Sequence, residues 1–251
     1  MPSKYKLSPS ASERFLSCTA SLPHNLGFDE NQYTLLGQLQ HRVAQLRLQE
    51  IFEERDNSKK IEKLTDPSND YVSQKNPQLK VQWNDNCEDT VDNYVSHIKR
   101  MSKQFKPKHV FIEHFISMKF FGNALRGVVD CAMILEDHSI VIVDLKTGRN
   151  PVDAEDNPQM LMYAHGIIQD YYRKTGHIAP RITISISQGL INNVVAVEYT
   201  LNQVSKWYLK QAKAMREINT NNLQFRPSTK ACKYCQFKDK CAARIKKGVV
   251  V

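Results

Sequence analysis

Residues 139–146 read SIVIVDLK, a short run dominated by β-branched residues that ends in a carboxylate and an amine. Length and composition make it a buried strand rather than a helix. Side chains alternate along a strand, so Val141, Val143 and Leu145 point one way and Asp144 and Lys146 the other. An isolated D-x-K tripeptide is most simply an ion pair on the exposed face of a strand end, because such pairs are common and weak. The surrounding sequence decides whether more is present.

Two further strand candidates precede it. HVFIEHFISMKF (109–120) leads through a turn at Gly122-Asn123 into LRGVVDCAMIL (125–135), and Glu136-Asp137-His138 turns the chain into the third. The three form a meander. Upstream, Leu35, Leu39, Val43 and Leu46 fall at helical spacing within 32–54, and Val91, Tyr94, Val95, Ile98, Met101 and Phe105 mark another amphipathic helix closed by Pro107. LSPSASERFLSC (7–18) reads as a turn and a short helix ending near Cys18. Residues 55–85 are polar and are expected to be an irregular surface insertion. Downstream, Asn157 and Pro158 make an N-cap and first turn for a helix to about Lys174. RITISIS and NVVAVEYT are two more strands, and Thr200 with Gln203 forms a capping box for a helix to about Asn219. The expectation is an α/β fold, a mixed sheet flanked by helices, in one domain spanning 1–251.

Hydrophobic residues are 41% and charged residues 24% of the chain, which excludes a disordered class. No apolar stretch is long enough to span a membrane, and the first residues lack the core of a signal peptide. A cytoplasmic, reducing location is therefore expected, where six cysteines are thiols or metal ligands rather than disulfides. The net charge is +9, and residues 201–251 alone carry a surplus of +10. Such a tail suits a polyanion, nucleic acid above all, although a solvated basic helix explains the charge equally.

Asp130 lies inside an apolar strand, where an unpaired charge is expensive. Pairing of that strand with 139–146 brings Asp130 near Asp144. Two adjacent carboxylates repel unless a cation sits between them, and a hard divalent metal is the simplest resolution. Lys146 on the same face could then stabilise charge developing on a phosphate or handle an attacking water.

Gly127-x-x-Asp130, then Asp144-Leu145-Lys146 with Thr147-Gly148, then Gln159-x-x-x-Tyr163 resembles the PD-(D/E)XK nuclease superfamily in its RecB-like branch. Gly37-x-x-x-His41 resembles that branch's helical histidine motif. The resemblance implies a restriction-endonuclease-like core and Mg2+ or Mn2+ held by His41, Asp130, Asp144 and the Leu145 carbonyl. It also implies Lys146 as the catalytic amine, with Gln159 and Tyr163 facing the site. Core packing is the other reading of Tyr163. Glu113 stands where RecB-like sequences often carry an acid, and an exposed strand face explains it equally well.

Cys232-x2-Cys235-x5-Cys241 is a second constellation, three thiols that suggest a metal centre lacking its fourth ligand. In RecB-like nucleases with an iron-sulfur cluster, of the AddB and CRISPR-adaptation types, one cysteine precedes the core and three follow it. The resemblance therefore implies a cluster, four-iron by expectation, on Cys18, Cys232, Cys235 and Cys241, joining segments 1–30 and 220–251. Zinc on the same thiolates is the alternative. Cys87 and Cys131 read as packing residues. No G-x-x-x-x-G-K-S/T occurs, so the chain is expected to be a free-standing nuclease rather than a helicase fusion. The expected activity is that of a metal-dependent deoxyribonuclease, most specifically an exonuclease on DNA ends in phage or bacterial recombination or repair, with a recombination or single-strand-binding protein as a candidate partner. A nuclease-derived DNA-binding scaffold without turnover is the rival.

Overall fold

The computed structural model describes residues 4–24 and 30–251, so part of the 1–30 segment lies outside the described residues. Its centre is a five-stranded mixed sheet built from β3 (His109–Phe120), β4 (Asn123–Ile134), β5 (Ile140–Leu145), β6 (Arg181–Gln188) and β7 (Asn193–Thr200), in that spatial order. The meander β3-β4-β5 is antiparallel, as its tight turns require. β5 and β6 are parallel and are joined by the crossover helix α5 (Pro158–Thr175). β5 is buried along its whole length, which explains why its sequence is apolar on both faces.

The two faces carry separate cores. Ile140, Ile142, Ile182, Ile184 and Ile186 pack against α5, against Phe15 of α1 (Ser12–Ser17), and against α6 (Leu201–Lys210) and α7 (Ala212–Asn219). Val141, Val143 and Leu145 pack on the opposite face against α2 (Gln32–Phe52) and α4 (Asp85–Phe105). The expected alternation along β5 is therefore present. Asp144 emerges on the α5 side.

Two local expectations need correction. Residues 55–85 hold α3 (Ser58–Thr65) and a two-stranded ribbon, β1 (Tyr71–Val72) with β2 (Lys80–Val81). Ile61, Leu64, Tyr71 and Val81 pack on the α2/α4 core, and buried Asn57 donates to the Leu46 carbonyl (3.2 Å), so a polar segment is docked by a few anchors. α4 starts at Asp85, where Asn84 caps the Cys87 amide. The helix expected to run to Asn219 breaks at Gln211, whose N–H reaches the Tyr208 carbonyl three residues back. This tight turn re-phases the chain so that Ala214, Met215 and Ile218 face inward.

The β3–β4 hairpin has one irregularity that positions the site. The register is continuous from His109↔Ile134 to Phe120↔Asn123, but Glu113 and Asp130 sit opposite each other outside the ladder, with Glu113 at φ 50°. Before the break Ile112 and Cys131 face α2 and α4, whereas beyond it Ile116, Met118 and Val129 face α5. The strands roll over at this point. A left-handed non-glycine residue costs about 1–3 kcal/mol, and such residues gather at functional sites. Among the described residues, no helix is long and apolar enough to cross a membrane.

Candidate active site

α2 supplies His41. Asn31 and Thr34 close the helix start with a reciprocal capping box, and buried Leu35, Leu39 and Val43 hold the helix on the sheet. Gly37 and His41 share its inner face. A Cβ at Gly37 would lie 2.9 Å from Thr147 Oγ1, so glycine lets the segment after β5 pass against the helix.

His41 Nδ1 lies 3.4 Å from Asp130 Oδ1, and Asp130 Oδ2 accepts the Leu145 N–H at 2.7 Å. The register Cys131↔Val143 puts Asp130 beside Asp144, as strand pairing suggested. His41, Glu113 and Asp130 each offer a ligand atom, and these lie within 4.8 Å of one another. Glu113 thus belongs with the site, brought there by the roll of the hairpin. Burial opposes a charged His41 ring, yet Asp130, backed by Asp144 and Glu113, outweighs it and holds the imidazole up at about 9. Burial and then the Asp130 charge push Glu113 up to about 7. Protons therefore do the neutralising. A divalent cation among the three groups would take over that task with nitrogen and oxygen donors suited to it, so the residues fit one.

Asp144 and Lys146 form an adjoining group. Lys146 Nζ is 2.9 Å from Asp144 Oδ2 and donates to Gln159 Oε1 at 2.9 Å. Burial disfavours the ammonium, but the Asp144 carboxylate overrides it and keeps Lys146 raised. Gln159 Nε2 donates to Asp144 Oδ1 and to the Tyr163 hydroxyl, both at 3.3 Å. Gln159 reaches this point because Asn157 caps the Met160 amide and Pro158 starts α5 at the open end of β5. Tyr163 sits one turn further on. It is also a core residue, 6% exposed, so its two readings coexist. A Cβ at Gly127 would meet the Tyr163 ring at 2.9 Å, which accounts for glycine there. For Leu145 the structure shows its amide bonded to Asp130; the role expected of its carbonyl remains an inference from the resemblance.

Two clefts meet over this group. One of about 440 Å3 is walled by Arg14, Lys146, Gln159 and Lys230, and one of about 990 Å3 by Gly37, His41, Arg42 and Glu113. A separate cleft of about 470 Å3, lined by His114, His138, Asp170 and His177, opens at the far end of α5 and holds none of these residues.

Cys18, Cys232, Cys235 and Cys241 line one small cavity, although Cys18 is over 200 residues from the others in the chain. Cys18 ends α1, Cys232 ends α8 (Thr229–Cys232), and Cys241 precedes α9 (Ala242–Lys247). Cys18 Sγ accepts the Arg226 N–H at 3.3 Å, and Thr19 hydrogen-bonds Glu217 and Gln224. Burial pushes the Cys18 thiol up, and nearby Cys232 and Cys235 add to it. Four sulfur donors around one cavity fit a thiophilic centre, iron-sulfur or zinc. Cys87 and Cys131 are fully buried in the core, away from this cavity.

A mixed sheet clasped between two helical layers, with carboxylates at the open end of its central strand, is an α/β architecture that places a candidate site at the mouth of the sheet. A crystal structure described as a "Putative exonuclease" from Eubacterium rectale shares the fold with a TM-score of 0.50 at 12% identity, covering 94% of this chain and 88% of that one. A second, SSO0001, matches at 14% identity over 92% and 96% of the two chains, with a TM-score of 0.35. No curated protein matches the sequence significantly. Residues 5–250 match DUF2800, described as a protein of unknown function, and the chain belongs to that family.

Proposed function

We propose that the protein is a Mg2+- or Mn2+-dependent deoxyribonuclease, an exonuclease acting at DNA ends in recombination, repair or phage DNA processing. The observation that carries this reading is the gathering of His41, Glu113 and Asp130 within 4.8 Å, next to the Asp144-Lys146-Gln159 group. His41, Asp130 and Asp144, with Glu113 and the Leu145 carbonyl, are the proposed ligands. Held by these residues, a divalent cation would supply charge stabilisation at the scissile phosphate and easier deprotonation of an attacking water. Lys146 presents an ammonium to the phosphate oxygen on which charge develops, and Asp144 keeps that amine charged. Gln159 fixes the position of Lys146 Nζ, and Tyr163 fixes Gln159. The fold shared with the Eubacterium rectale protein described as a "Putative exonuclease" supports the same class.

The four cysteines are proposed to hold an iron-sulfur cluster, with zinc as the competing occupant. Metal analysis of anaerobically purified protein separates the two. The test of activity is digestion of end-labelled single- and double-stranded DNA with Mg2+ or Mn2+ against EDTA, with Lys146→Ala in parallel. Metal-dependent loss of label by the wild type alone is expected. DNA binding without cleavage in any metal would overturn the reading in favour of a non-catalytic scaffold.

A further inference from the structure

Tyr234 lies between Cys232 and Cys235, yet the thiol cavity is lined by its neighbours and not by its own ring. It is 57% exposed and borders both clefts that meet over the candidate active site. Ser10, Thr34 and Gly148 border both as well, so the clefts are continuous, and the phenol stands where they join. Lys146 lines the smaller of these clefts together with it. Lys233 Nζ lies 5.2 Å from the ring centroid, a cation held over the ring.

Both clefts carry cations, beside Glu13 in the smaller and Glu113 in the larger. Arg14, Lys146 and Lys230 line the smaller, and Arg42 the larger. The larger also presents Tyr33, 86% exposed, and Tyr71. Cations lining a groove, with the open rings of Tyr33 and Tyr234 beside them, match a polyanion whose bases are unstacked. A duplex hides its base faces, so only a single strand meets both kinds of group.

We propose that Tyr234 is a base-stacking residue for single-stranded DNA, seating one strand across the two clefts so that a phosphate lies beside Lys146. The cysteine segment then contributes to substrate choice as well as joining the chain ends. The placement of the phosphate for cleavage rests on the nuclease reading; the binding of the strand does not.

The test uses the full chain with its thiol-bound metal, comparing wild type with Tyr234→Ala, Tyr234→Leu, Tyr234→Phe and Tyr234→Trp. Fluorescence anisotropy with a short labelled oligo-dT strand, and separately a blunt duplex, is read with Ca2+ replacing Mg2+ to hold back cleavage. Loss of one stacked base should weaken single-strand binding about 5- to 140-fold in the Ala and Leu variants. The Phe and Trp variants should stay within about twofold of wild type, and duplex binding should not change. Melting and metal content identify any variant whose thiol site is damaged; Leu, of similar bulk without a π face, decides if Ala is damaged. Wild-type affinity in the Leu variant, a Phe variant as weak as Leu, or an equal loss on duplex would each overturn the proposal. Mn2+-dependent cleavage of the same strand by wild type separates the two readings. Cleavage with Tyr234-independent binding sinks this proposal alone, and Tyr234-dependent binding without cleavage sinks the nuclease reading alone.

Discussion

Gly127→Ala should destabilise the protein, and the structure sets the size of the effect. The new Cβ would lie 2.9 Å from Tyr163 Cε1 and 3.1 Å from Pro9 Cγ, where carbon atoms prefer about 3.5–4.0 Å. Neither neighbour is the loose end of a flexible chain: Tyr163 and Pro9 are both buried, so a ring or the backbone must move. Overpacking of this kind costs about 1–3 kcal/mol. Removing a glycine from a strand interior returns about 0.5–1 kcal/mol. The net loss should be about 1–2 kcal/mol, or about 2–8 °C in Tm for a chain of this size. Gly37→Ala is the control. Its Cβ would meet Thr147 Oγ1 at 2.9 Å, but a χ1 turn of the Thr147 side chain moves that one oxygen, and alanine gains about 1 kcal/mol of helix propensity inside α2. Gly37→Ala should therefore be close to neutral. Urea unfolding of both variants, with Tyr163→Ala completing a double-mutant cycle around Gly127, measures this. Equal stability of the two glycine variants, or strict additivity of Gly127→Ala with Tyr163→Ala, would refute the packing account. Displacement of Tyr163 should also loosen Gln159 and slow any cleavage that depends on Lys146.

Lys146→Ala should abolish metal-dependent cleavage and also lower stability, by about 3–5 kcal/mol at most, because it strands Asp144, which is 3% exposed. Lys146→Ala with Asp144→Ala should recover part of that stability but no cleavage, as read by urea unfolding and DNA digestion. His165→Phe should remove an acid sensitivity. Burial lowers His165 to about 4, below the unfolded value of about 6.5, so the unfolded chain takes up a proton first and stability falls as pH drops through that window. Between pH 7 and pH 5 the wild type should lose about 2 kcal/mol more than the variant, whose ring keeps the stacking on Tyr208. Urea midpoints at the two pH values check it. Cys18→Ala should lower Tm and thiol-bound metal content while leaving Mn2+ affinity at the carboxylates unchanged, because none of those ligands lines the cysteine cavity. Melting alongside Mn2+ titration reads both.

The fold was legible where burial is one-sided or where caps are explicit. The alternation of Asp144 and Lys146 against Val141, Val143 and Leu145 carried β5, and Asn157-Pro158 and Thr200-Gln203 carried two helix starts. The roll of the β3–β4 hairpin was not legible. Val110, Ile112, Ile116, Met118 and Phe120 are apolar even positions interrupted by His114 alone, so the pattern reads as one strand face although the facing core changes at Glu113. For that reason Glu113 could not be separated from an exposed acid. Residues 55–85 hid a helix because α3 buries no residue fully and docks through half-buried Ile61 and Leu64. Tyr234 carried no spacing signal of its own, and only the convergence of two clefts singles it out.

Glu113 joins two unfavourable features that share one explanation. Its backbone is left-handed within a strand, a conformation glycine would adopt without strain, and its carboxyl sits among groups that push it up to about 7. A bulge needed only for the roll of the hairpin is served better by glycine, and a buried acid needed only for packing is served better by an apolar side chain. Neither substitute puts a carboxylate beside His41 and Asp130. On the metal-dependent reading, a bound cation turns the repulsion among these groups into attraction and gives the strained backbone at Glu113 a function. The strain and the raised carboxyl are then two costs of one arrangement, both offset when the cation binds.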